Sequence, residues 1–466
     1  MDVSRSISPI DGRVVAERPL ASEAAIAAAL VRARSAQAAW RQVSVGERAA
    51  LCNAMVDAFE ERGDAIAHEI TLQMGRPIAH SPGEIRGFAE RARTMISLAE
   101  ASLAPIDPGP KVGFLRFIRR EPVGVVLTVA PWNYPYLTAV NSVVPAIMAG
   151  NAVLLRHSAQ TPLCGERLAE AFTTVGLPEG VLQVIHADHA ATSRLIAAAG
   201  GDGPDFVAFT GSVAAGHAVQ RAASGRFIGT GLELGGKDPA YVRSDAALAP
   251  SVAELVDGAF FNAGQSCCGI ERIYVHAALY DDFVAAFGEA VRAYRLGNPL
   301  DPATSLGPCI RPAAADFVRG QVAEAEAAGA VGLIDASAFG DHGPGDAYLA
   351  PQVLVGVDHG MRVMREESFG PVVGIMAVAD DAQAVQLMND SPYGLTASVW
   401  TSDEAAGVAL GDRIATGTFF VNRCDTLDPV LAWTGVKDSG RGCTLSRVGY
   451  EVLTRPKSYH VRASGW

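Results

Sequence analysis

The segment VGVVLTVAPWNYPYLTAVNSVVPAIMAGNAVLL, residues 123–155, has the clearest fold pattern in this chain. An apolar run predicts a buried strand over Val123–Ala130, and a second one predicts another strand over Ala152–Leu155. Between them, Val140–Met148 has the composition of a buried helix. A strand, a helix and a strand in this order form a βαβ unit, whose two strands lie parallel.

The same alternation continues along most of the chain and predicts a mostly parallel sheet with helices on both faces. It repeats after Gly229–Gly236, which indicates a boundary between two α/β domains. The first set adds strands at Val181–His186 and Phe206–Phe209, and helices at Glu23–Trp40, Gly46–Met74, Pro162–Val175, Ala190–Ala199 and Ala214–Ala223. The second set has strands at Arg272–Val275, Val372–Ala377, Ala397–Trp400 and Thr418–Val421, and helices at Ser251–Phe261, Tyr280–Tyr294 and Ala313–Ala328.

The composition is that of a large globular protein. The 466 residues are 49% hydrophobic and 19% charged, which excludes a disordered chain. The net charge is −12 and basic residues do not cluster, so we expect neither a nucleic-acid nor a membrane partner. Seven cysteines without a C-x-x-C pair argue against a disulfide framework and against a metal site. No signal-peptide pattern and no bilayer-length apolar run is present, so the expected location is cytoplasmic.

Residues 231–238, GLELGGKD, nearly match a phosphate-binding P-loop. The last position is Asp238, where a P-loop needs a hydroxyl that binds magnesium. Glu233 would also place a carboxylate inside the phosphate site, where like charges repel. We therefore exclude a P-loop nucleotidase. The G-x-G-x-x-G fingerprint of dinucleotide-binding folds is absent from the sequence as well.

Two adjacent cysteines, Cys267 and Cys268, lie in the segment FNAGQSCCGIER, residues 261–272, between a predicted helix and a predicted strand. A thiol at such a junction can be exposed and nucleophilic, because nearby donors or a helix terminus readily lower its pKa from about 8.5. On residue type alone, a free cysteine is more often a small buried apolar residue. The residue chemistry leaves both cysteines open as candidates.

Three further segments have the chemistry of a ligand site. Asn133 lies between two prolines after the first predicted strand, where a rigid amide N–H can stabilise an oxyanion, although a Pro-Asn turn is common. Gly211 and Ser212 follow the strand at Phe206–Phe209, and a helix starting there can bind a phosphate or simply be capped by the serine. The acidic stretch Glu366–Pro371 is on its own typical of a solvated loop.

Taken together and in this order, these segments resemble the aldehyde dehydrogenase superfamily over nearly the whole chain, from residues 8–12 onward. The most specific matches are Pro131–Pro135, Leu232–Lys237, Gly264–Cys267, Glu366–Pro371 and Lys437–Gly440. The resemblance implies an α/β fold of the aldehyde dehydrogenase type. Its parts would be a Rossmann-type NAD(P)-binding domain over residues 1–103 and 123–235, an α/β catalytic domain over 236–438, and a small β oligomerisation flap from 104–122 and 450–466.

The resemblance also implies an activity, the oxidation of an aldehyde to its carboxylic acid with NAD or NADP through a thiohemiacetal and a thioester. Cys267 falls on the catalytic thiol, which decides against Cys268, and Glu233 falls 34 residues before it on the general base. Asn133 falls on the side-chain donor of the oxyanion hole. The positions that fall on cofactor contacts are Trp132, Arg156, Ser158, Gly211, Ser212, Glu367 and Phe369.

The sequence departs from the family pattern after the second predicted strand. Arg156 stands where the family usually has Lys, and Ala159 replaces the acid that often binds the adenosine ribose. Loss of that carboxylate removes repulsion against a 2′-phosphate, which Arg156 or His157 could attract. We therefore predict that NADP is accepted as well as NAD.

The substrate pocket implied by the family mixes aromatic and polar residues. This mixture predicts an aromatic or small polar aldehyde, or a semialdehyde, rather than a long alkyl one. Arg423 would pair either with a substrate carboxylate or with Asp425 in a salt bridge. The implied pocket residues are Tyr134, Tyr136, Thr138, Asn141, Phe261, Ser266, Arg423, Asp425, Leu427 and Trp433.

Phe114–Glu121 and Lys457–Val461 resemble the strands of the family's flap. An exposed β edge that pairs across a two-fold axis predicts a homodimer or a homotetramer. Two alternatives remain. A CoA-acylating enzyme of the same fold would lack the general base at Glu233, and a catalytically silent structural member would have no reason to keep Cys267, Glu233 and Asn133 together.

Overall fold

Two mainly parallel β-sheets organise the chain, which a computed structural model describes for residues 2–462. The helices are α1 (Glu23–Trp40), α2 (Val45–Glu60), α3 (Gly63–Met74), α4 (Pro82–Leu103), α5 (Pro135–Met148), α6 (Pro162–Thr174), α7 (His189–Ala197), α8 (Val213–Ala223), α9 (Leu248–Phe260), α10 (Tyr280–Arg292), α11 (Pro312–Ala327), α12 (Asp381–Asn389) and α13 (Glu404–Gly411). The strands are β1 (Val3–Ile7), β2 (Val14–Pro19), β3 (Phe114–Pro122), β4 (Val125–Val129), β5 (Ala152–Arg156), β6 (Leu182–Val184), β7 (Phe206–Thr210), β8 (Gly229–Glu233), β9 (Asp238–Val242), β10 (Ile270–His276), β11 (Val331–Gly332), β12 (Gln352–Val355), β13 (Val372–Val378), β14 (Thr396–Trp400), β15 (Thr418–Val421), β16 (Gly440–Arg441) and β17 (Thr454–Arg462).

The predicted βαβ unit lies at the centre of the first sheet, whose strand order is β16-β8-β7-β4-β5-β6. β4 pairs in parallel with β5 and with β7, and only the short β16 runs antiparallel, beside β8. Side chains of β4 alternate between two cores. Val126 packs in the core with α2, α4 and α5, whereas Val125 and Leu127 pack in the core with α1, α7 and α8. Burial on both faces explains why the strand is apolar throughout.

Helix α5 begins at Pro135, earlier than the predicted start at Val140. The Glu84 carboxylate on α4 accepts hydrogen bonds of 2.9 Å from the backbone N–H groups of Tyr136 and Leu137. An acid at a helix N-terminus stabilises the first turn, and a proline there presets the helical φ. Because Glu84 is remote in the sequence, this cap was not visible from the segment itself.

The second sheet has the strand order β11-β12-β13-β10-β9-β14-β15, and only β11 runs antiparallel. Its strands include all four that the sequence predicts for the second set. The first five residues of Gly229–Gly236, the stretch predicted to lie near a domain boundary, form β8. The chain crosses from one sheet to the other within residues 234–237, between β8 and β9.

Helix α4 was missed in the sequence, although its 22 residues make it the longest helix within residues 2–462. Its buried face carries charged residues, including Glu84 and Arg91, so the apolar stripe that signals a helix is interrupted. The segment Gly46–Met74, expected as one helix, forms α2 and α3, which are separated at Glu61 and Arg62.

Strands β3 and β17 form a separate antiparallel ribbon, with Phe114 opposite Arg462 and Pro122 opposite Thr454. Both predicted flap strands lie within it. The predicted ranges 1–103 and 450–466 also include Met1 and residues 463–466, which lie outside the described residues. Within residues 2–462, no helix is long and apolar enough to cross a membrane.

Candidate active site

The loop between α9 and β10 presents Cys267. Three consecutive residues, Asn262, Ala263 and Gly264, have φ values of 54°, 56° and 68° and turn the chain sharply after α9. Gly264 is required here, because a Cβ would lie 2.3 Å from the carbonyl oxygen of Gly370. Cys267 is half-buried and Cys268 is only 4% exposed. The hydrogen bond between Cys268 and Cys267, together with the burial of Cys268, raises the pKa of the Cys268 thiol. Because the thiolate is the nucleophilic form, this rise favours Cys267 as the nucleophile.

Asn133 lies against this loop. Its Nδ2 donates to the Gln265 carbonyl at 3.1 Å. The backbone carbonyl of Asn133 accepts hydrogen bonds from Arg76 Nη2 at 2.5 Å and from Asn262 Nδ2 at 3.3 Å. Arg76 in turn forms a buried ion pair with Glu84 on α4. The amide of Asn133 is therefore held rigidly beside the residues that precede Cys267.

Glu233 lies at the carboxyl end of β8 and lines the same cavity as Cys267. Thr210 Oγ1 donates to its carboxylate at 3.0 Å, and Thr444 Oγ1 donates to the other oxygen. Burial raises the pKa of Glu233, and the two threonine hydroxyls oppose this rise because they stabilise the charged form. A carboxylate with a raised pKa is a stronger base near neutral pH.

A buried ion pair fixes the segment that carries Glu367 and Phe369. Lys237 Nζ pairs with Glu271, whose carboxylate accepts the backbone N–H of Ser368 at 2.8 Å and of Phe369 at 2.9 Å. Lys237 Nζ also lies 2.9 Å from Ser368 Oγ. The sequence shows both charged residues, but no pattern in it indicated that they pair and hold this segment.

The Glu367 carboxylate folds back against the turn between the two sheets. Its Oε1 accepts the backbone N–H of Gly236 at 3.2 Å, and a Cβ on Gly235 would lie 2.2 Å from its oxygens. Burial, together with the charge of Glu271, raises the pKa of Glu367 to about 8. The Phe369 ring meets the Trp132 ring edge to face, with 5.7 Å between the centroids.

Most of the residues predicted to contact a cofactor lie at one edge of the first sheet, where β4, β5 and β7 end. Trp132 follows β4, Arg156 and Ser158 lie at the end of β5, and Gly211 and Ser212 follow β7. The carboxyl edge of an open parallel sheet is where such folds bind dinucleotides.

The groups at this edge fit a dinucleotide. Gly211 lets the Phe209 ring pack against the backbone, because a Cβ there would lie 2.7 Å from that ring. Ser212 caps α8 by accepting the N–H of Ala215 at 3.3 Å, so the helix N-terminus faces this edge as it does in anion sites. Arg156 supplies a cationic donor for phosphates, and the Glu367 carboxylate supplies an acceptor for ribose hydroxyls.

His157 takes no part in that set, and the prediction that it could attract a 2′-phosphate is wrong. Its ring is 4% exposed and lies 3.1 Å from the Pro135 carbonyl and 3.2 Å from Thr161 Oγ1. Burial lowers the pKa of His157 to about 4, so the ring is neutral at pH 7. Arg156 differs from His157, because only its Nε is engaged, donating to the Ala187 carbonyl at 3.1 Å, whereas its Nη1 and Nη2 have no hydrogen-bond partner among residues 2–462.

A cavity of about 310 Å³ leads to Cys267 and Glu233. It is bounded by α4, α5, the end of α9 and the loop after β15. Of the residues predicted for the substrate pocket, those that line it are Tyr134, Thr138, Asn141, Phe261, Ser266, Asp425, Leu427 and Trp433.

Two predicted pocket residues lie elsewhere. Tyr136 is 1% exposed and packs on Phe59, with 4.9 Å between the ring centroids. Residues 134, 138 and 141 share one face of the helical turn, so residue 136 must point to another face. Arg423 is exposed outside the cavity, and no carboxylate of residues 2–462 lies within 4 Å of it. The expected salt bridge to Asp425 is therefore absent.

Arg91 on α4 lines the cavity and was missed in the sequence, because α4 itself was missed. It is 9% exposed. Its Nη1 donates to the Leu137 carbonyl at 2.6 Å and to Asn141 Oδ1 at 3.4 Å. An alternation of buried charged residues with apolar ones, repeating every three to four residues from Glu84, would have been the signal to find it.

A half-buried thiol and a carboxylate line one cavity next to a dinucleotide-type sheet edge, and a fixed amide contacts the loop that carries the thiol, an arrangement that suits a nucleotide-dependent oxidoreductase. The sequence matches the aldehyde dehydrogenase family over residues 2–459. The chain belongs to that family. It is therefore an enzyme that oxidises an aldehyde to a carboxylic acid with NAD or NADP. These findings confirm the predicted family, fold class, reaction and cofactor.

Several relatives cover almost the full length of the chain. A succinate-semialdehyde dehydrogenase (NADP(+)) of Mycobacterium avium is 35% identical over 465 residues, covering 98% of this chain and 97% of the relative. A 3,6-anhydro-alpha-L-galactose dehydrogenase of Streptomyces coelicolor is 35% identical, with 98% and 92% covered. The crystal structure of an NADP-dependent glyceraldehyde-3-phosphate dehydrogenase from Bacillus halodurans, complexed with NADP, matches with a TM-score of 0.93 and 30% identity, covering 99% of this chain and 96% of that chain.

Proposed function

We propose that Cys267 is the nucleophile, Glu233 the general base and Asn133 the oxyanion donor of this aldehyde dehydrogenase. The observation that carries the proposal is that Cys267 and Glu233 line one cavity while the Asn133 amide contacts the loop that bears Cys267. A nucleophile and a base on one cavity, with an amide donor beside the nucleophile's loop, form the constellation that acyl chemistry requires.

In the first step Cys267 Sγ, as the thiolate, bonds to the aldehyde carbon, and the carbonyl oxygen becomes an oxyanion. Asn133 Nδ2 carries two N–H bonds, of which one is used by the Gln265 carbonyl at 3.1 Å. The other N–H can donate to the oxyanion together with the backbone N–H of Cys267. One such donor is worth about 10²–10³ in rate.

When bound, NAD or NADP accepts the hydride that leaves the substrate carbon as the thiohemiacetal becomes a thioester. Trp132 and Phe369 meet beside Glu367 and would hold the nicotinamide end. The remaining residues proposed to hold the cofactor are Arg156, Ser158, Gly211 and Ser212.

Glu233 completes the reaction. It takes a proton from a water molecule, whose oxygen adds to the thioester carbon, and collapse releases the acid and restores the Cys267 thiolate. Thr210 and Thr444 orient the carboxylate of Glu233 and favour its charged form against the effect of burial. A base in this position supports hydrolysis over acyl transfer to CoA.

The test is reduced-cofactor absorbance with purified protein, NAD and NADP separately, with and without CoA. We expect Cys267→Ala to abolish turnover. Glu233→Gln should release about one equivalent of reduced cofactor per site and then stop, since thioester formation does not need this base. Continued turnover of that variant would contradict the role of Glu233, and acceleration of the wild type by CoA would support the acylating alternative. A wild type that oxidises no aldehyde would support a silent structural member.

We propose an aromatic or small polar aldehyde, including a semialdehyde, as substrate. The cavity combines the rings of Tyr134, Phe261 and Trp433 with polar groups of Thr138 and Asn141. Relatives that are named for succinate semialdehyde fit this class. A panel of aromatic, short aliphatic, amino and carboxylate-bearing aldehydes would test it, and a preference for long alkyl chains would contradict it.

We further propose a homodimer or homotetramer. Within the described residues, β17 pairs only with β3, so its other edge can be extended by a second copy, whereas bridges from Ile106 and Lys111 occupy part of the outer edge of β3. Light scattering after size exclusion tests this proposal, and a monomer would contradict it. A cytoplasmic location is proposed on the seven unpaired thiols, which suit a reducing compartment.

A further inference from the structure

We propose that Arg91 binds a carboxylate of the substrate and that this enzyme prefers aldehydes that carry one. The inference rests on the proposed function, since it assigns the wall of the same cavity that leads to Cys267. It replaces the expectation that Arg423 would have this role, because Arg423 lies outside the cavity.

The geometry leaves part of the Arg91 guanidinium free. Its Nη1 donates to Leu137 O and Asn141 Oδ1, whereas Nε and Nη2 have no hydrogen-bond partner among residues 2–462. These two nitrogens are not fully buried, and the Arg91 side chain lines the cavity. A guanidinium offers paired N–H donors in one plane, which match the two oxygens of a carboxylate.

The nearby acids do not neutralise Arg91 by direct contact. Within the described chain no carboxylate lies within 4 Å of its guanidinium. Glu84 is engaged by Arg76 and by the first turn of α5, and Glu233 is engaged by its two threonines. A buried cation without a charged partner costs free energy, so a site of this kind is completed by an anion that enters with the ligand.

The charge of Arg91 is maintained although it is buried. Burial lowers the pKa of Arg91, and the charges of Glu84 and Glu233 oppose that change. Since an arginine pKa lies far above neutrality, the guanidinium remains a cation. Glu90, Asp257 and Asp425 also line the cavity, so an amino aldehyde is the competing substrate class that the experiment must separate.

The experiment compares matched aldehydes that differ only in one charge. The first pair is 4-carboxybenzaldehyde and 4-formylbenzamide, and the second is 4-oxobutanoate and 4-oxobutanamide; 4-aminobutanal represents the cationic class. We expect the wild type to prefer the acid of each pair by at least about 10-fold in kcat/KM, since hydrogen bonds to a charged group discriminate by roughly this factor or more.

Arg91→Met should lower kcat/KM for the acids by about 10- to 100-fold and change the amides by less than about 3-fold. Arg91→Lys keeps the charge but not the paired N–H donors of the guanidinium, so we expect an intermediate loss of kcat/KM that is confined to the acids. Arg86→Met is the matched control, because Arg86 lies on the same helix, is exposed and does not line the cavity. If Arg91→Met does not fold, the lysine variant decides.

An equal loss of kcat/KM for acids and amides in the Arg91 variants would overturn the inference. It would show instead that Arg91 supports the structure of the site or the ionisation of Glu233. A wild type that oxidises acids and amides equally well, or that prefers 4-aminobutanal, would overturn it while the proposed function stands. A wild type that oxidises none of these or any other aldehyde would overturn the proposed function instead.

Discussion

The thiol of Cys268 donates a hydrogen bond of 2.9 Å to Oδ1 of Asp425. Ser266 Oγ donates to the same oxygen, also at 2.9 Å, so the residues on both sides of Cys267 are bound to one carboxylate. Asp425 itself has a left-handed backbone, with a φ of 44°, after β15. The loop that bears the nucleophile is thereby tied to a segment more than 150 residues away, at a sequence separation of 157 from Cys268.

Removing this carboxylate should loosen the nucleophile. We expect Asp425→Ala to lower kcat about 10-fold and to slow alkylation of Cys267 by iodoacetamide, because small losses of orientation are costly in rate. Asp425→Asn is the matched control, since its Oδ1 still accepts both hydrogen bonds. If the asparagine variant lost as much as the alanine variant, the charge of Asp425 and not its hydrogen bonds would be responsible.

The pH profile should report Glu233. Burial raises the pKa of this carboxyl, so kcat should rise with pH through that raised value as the basic form appears. Thr444→Val removes a donor to the charged form, which raises the pKa further and should move the rising limb to higher pH. Thr444→Ser, which keeps the hydroxyl, should leave the limb in place. A limb that does not move in the valine variant would rule out Thr444 as a determinant of this pKa.

The buried pair of Lys237 and Glu271 should govern stability. Lys237→Met leaves the Glu271 carboxylate buried without its cation, which should lower the free energy of unfolding by about 3–5 kcal/mol. Urea denaturation measures this loss. In the double variant Lys237→Met/Glu271→Leu the loss should be clearly smaller than the sum of the two single losses. Additive losses would show that the two charges are not coupled.

Glycine at position 235 should be needed for cofactor affinity. A Cβ at Gly235 would displace the Glu367 carboxylate, so Gly235→Ala should raise KM for NAD at least about 10-fold. Gly225→Ala is the control, because nothing lies within 4 Å of a Cβ at that position. Initial rates at saturating aldehyde measure both, and an unchanged KM in Gly235→Ala would remove Glu367 from the cofactor contacts.

The residue at position 159 should control tolerance of a 2′-phosphate. Ala159 is exposed just after β5, so an acid there can reach solvent without disturbing the core. Ala159→Glu should lower kcat/KM for NADP at least about 10-fold and change that for NAD little, because like charges repel. The wild type should use both cofactors. A wild type at least a hundredfold worse with NADP would contradict the premise itself.

The sequence predicted the centre of the fold correctly because the information is local. Each of β4, β5 and β7 is a short apolar run next to a helix, and a strand buried on both faces has no other possible pattern. Helix α4 was not recognised in the sequence. Its buried charged residues have partners on other segments, since Glu84 pairs with Arg76 before the helix and Arg91 donates to Leu137 on α5. A helix whose buried face is partly ionic lacks the apolar period that identifies helices.

The pocket divides in the same way. The motifs around Cys267, Glu233 and Asn133 could be identified in the sequence, because their order and spacing match the family. Helical geometry explains why Thr138 and Asn141 line the cavity and Tyr136 does not. Residues three apart lie on the same side of a helix, whereas a residue two positions away points to a different side.

The contacts between charged groups follow from how the helices and sheets pack. Packing places Arg91 in the cavity wall and exposes Arg423 to solvent. It also pairs Lys237 with Glu271 and brings Asp425 into contact with both neighbours of Cys267. The fold class, the family and the position of the candidate nucleophile could be predicted from the sequence, because apolar runs and motif spacing are local properties of the chain. Ion pairs and pocket walls form between residues far apart in sequence, so their partners are set by packing.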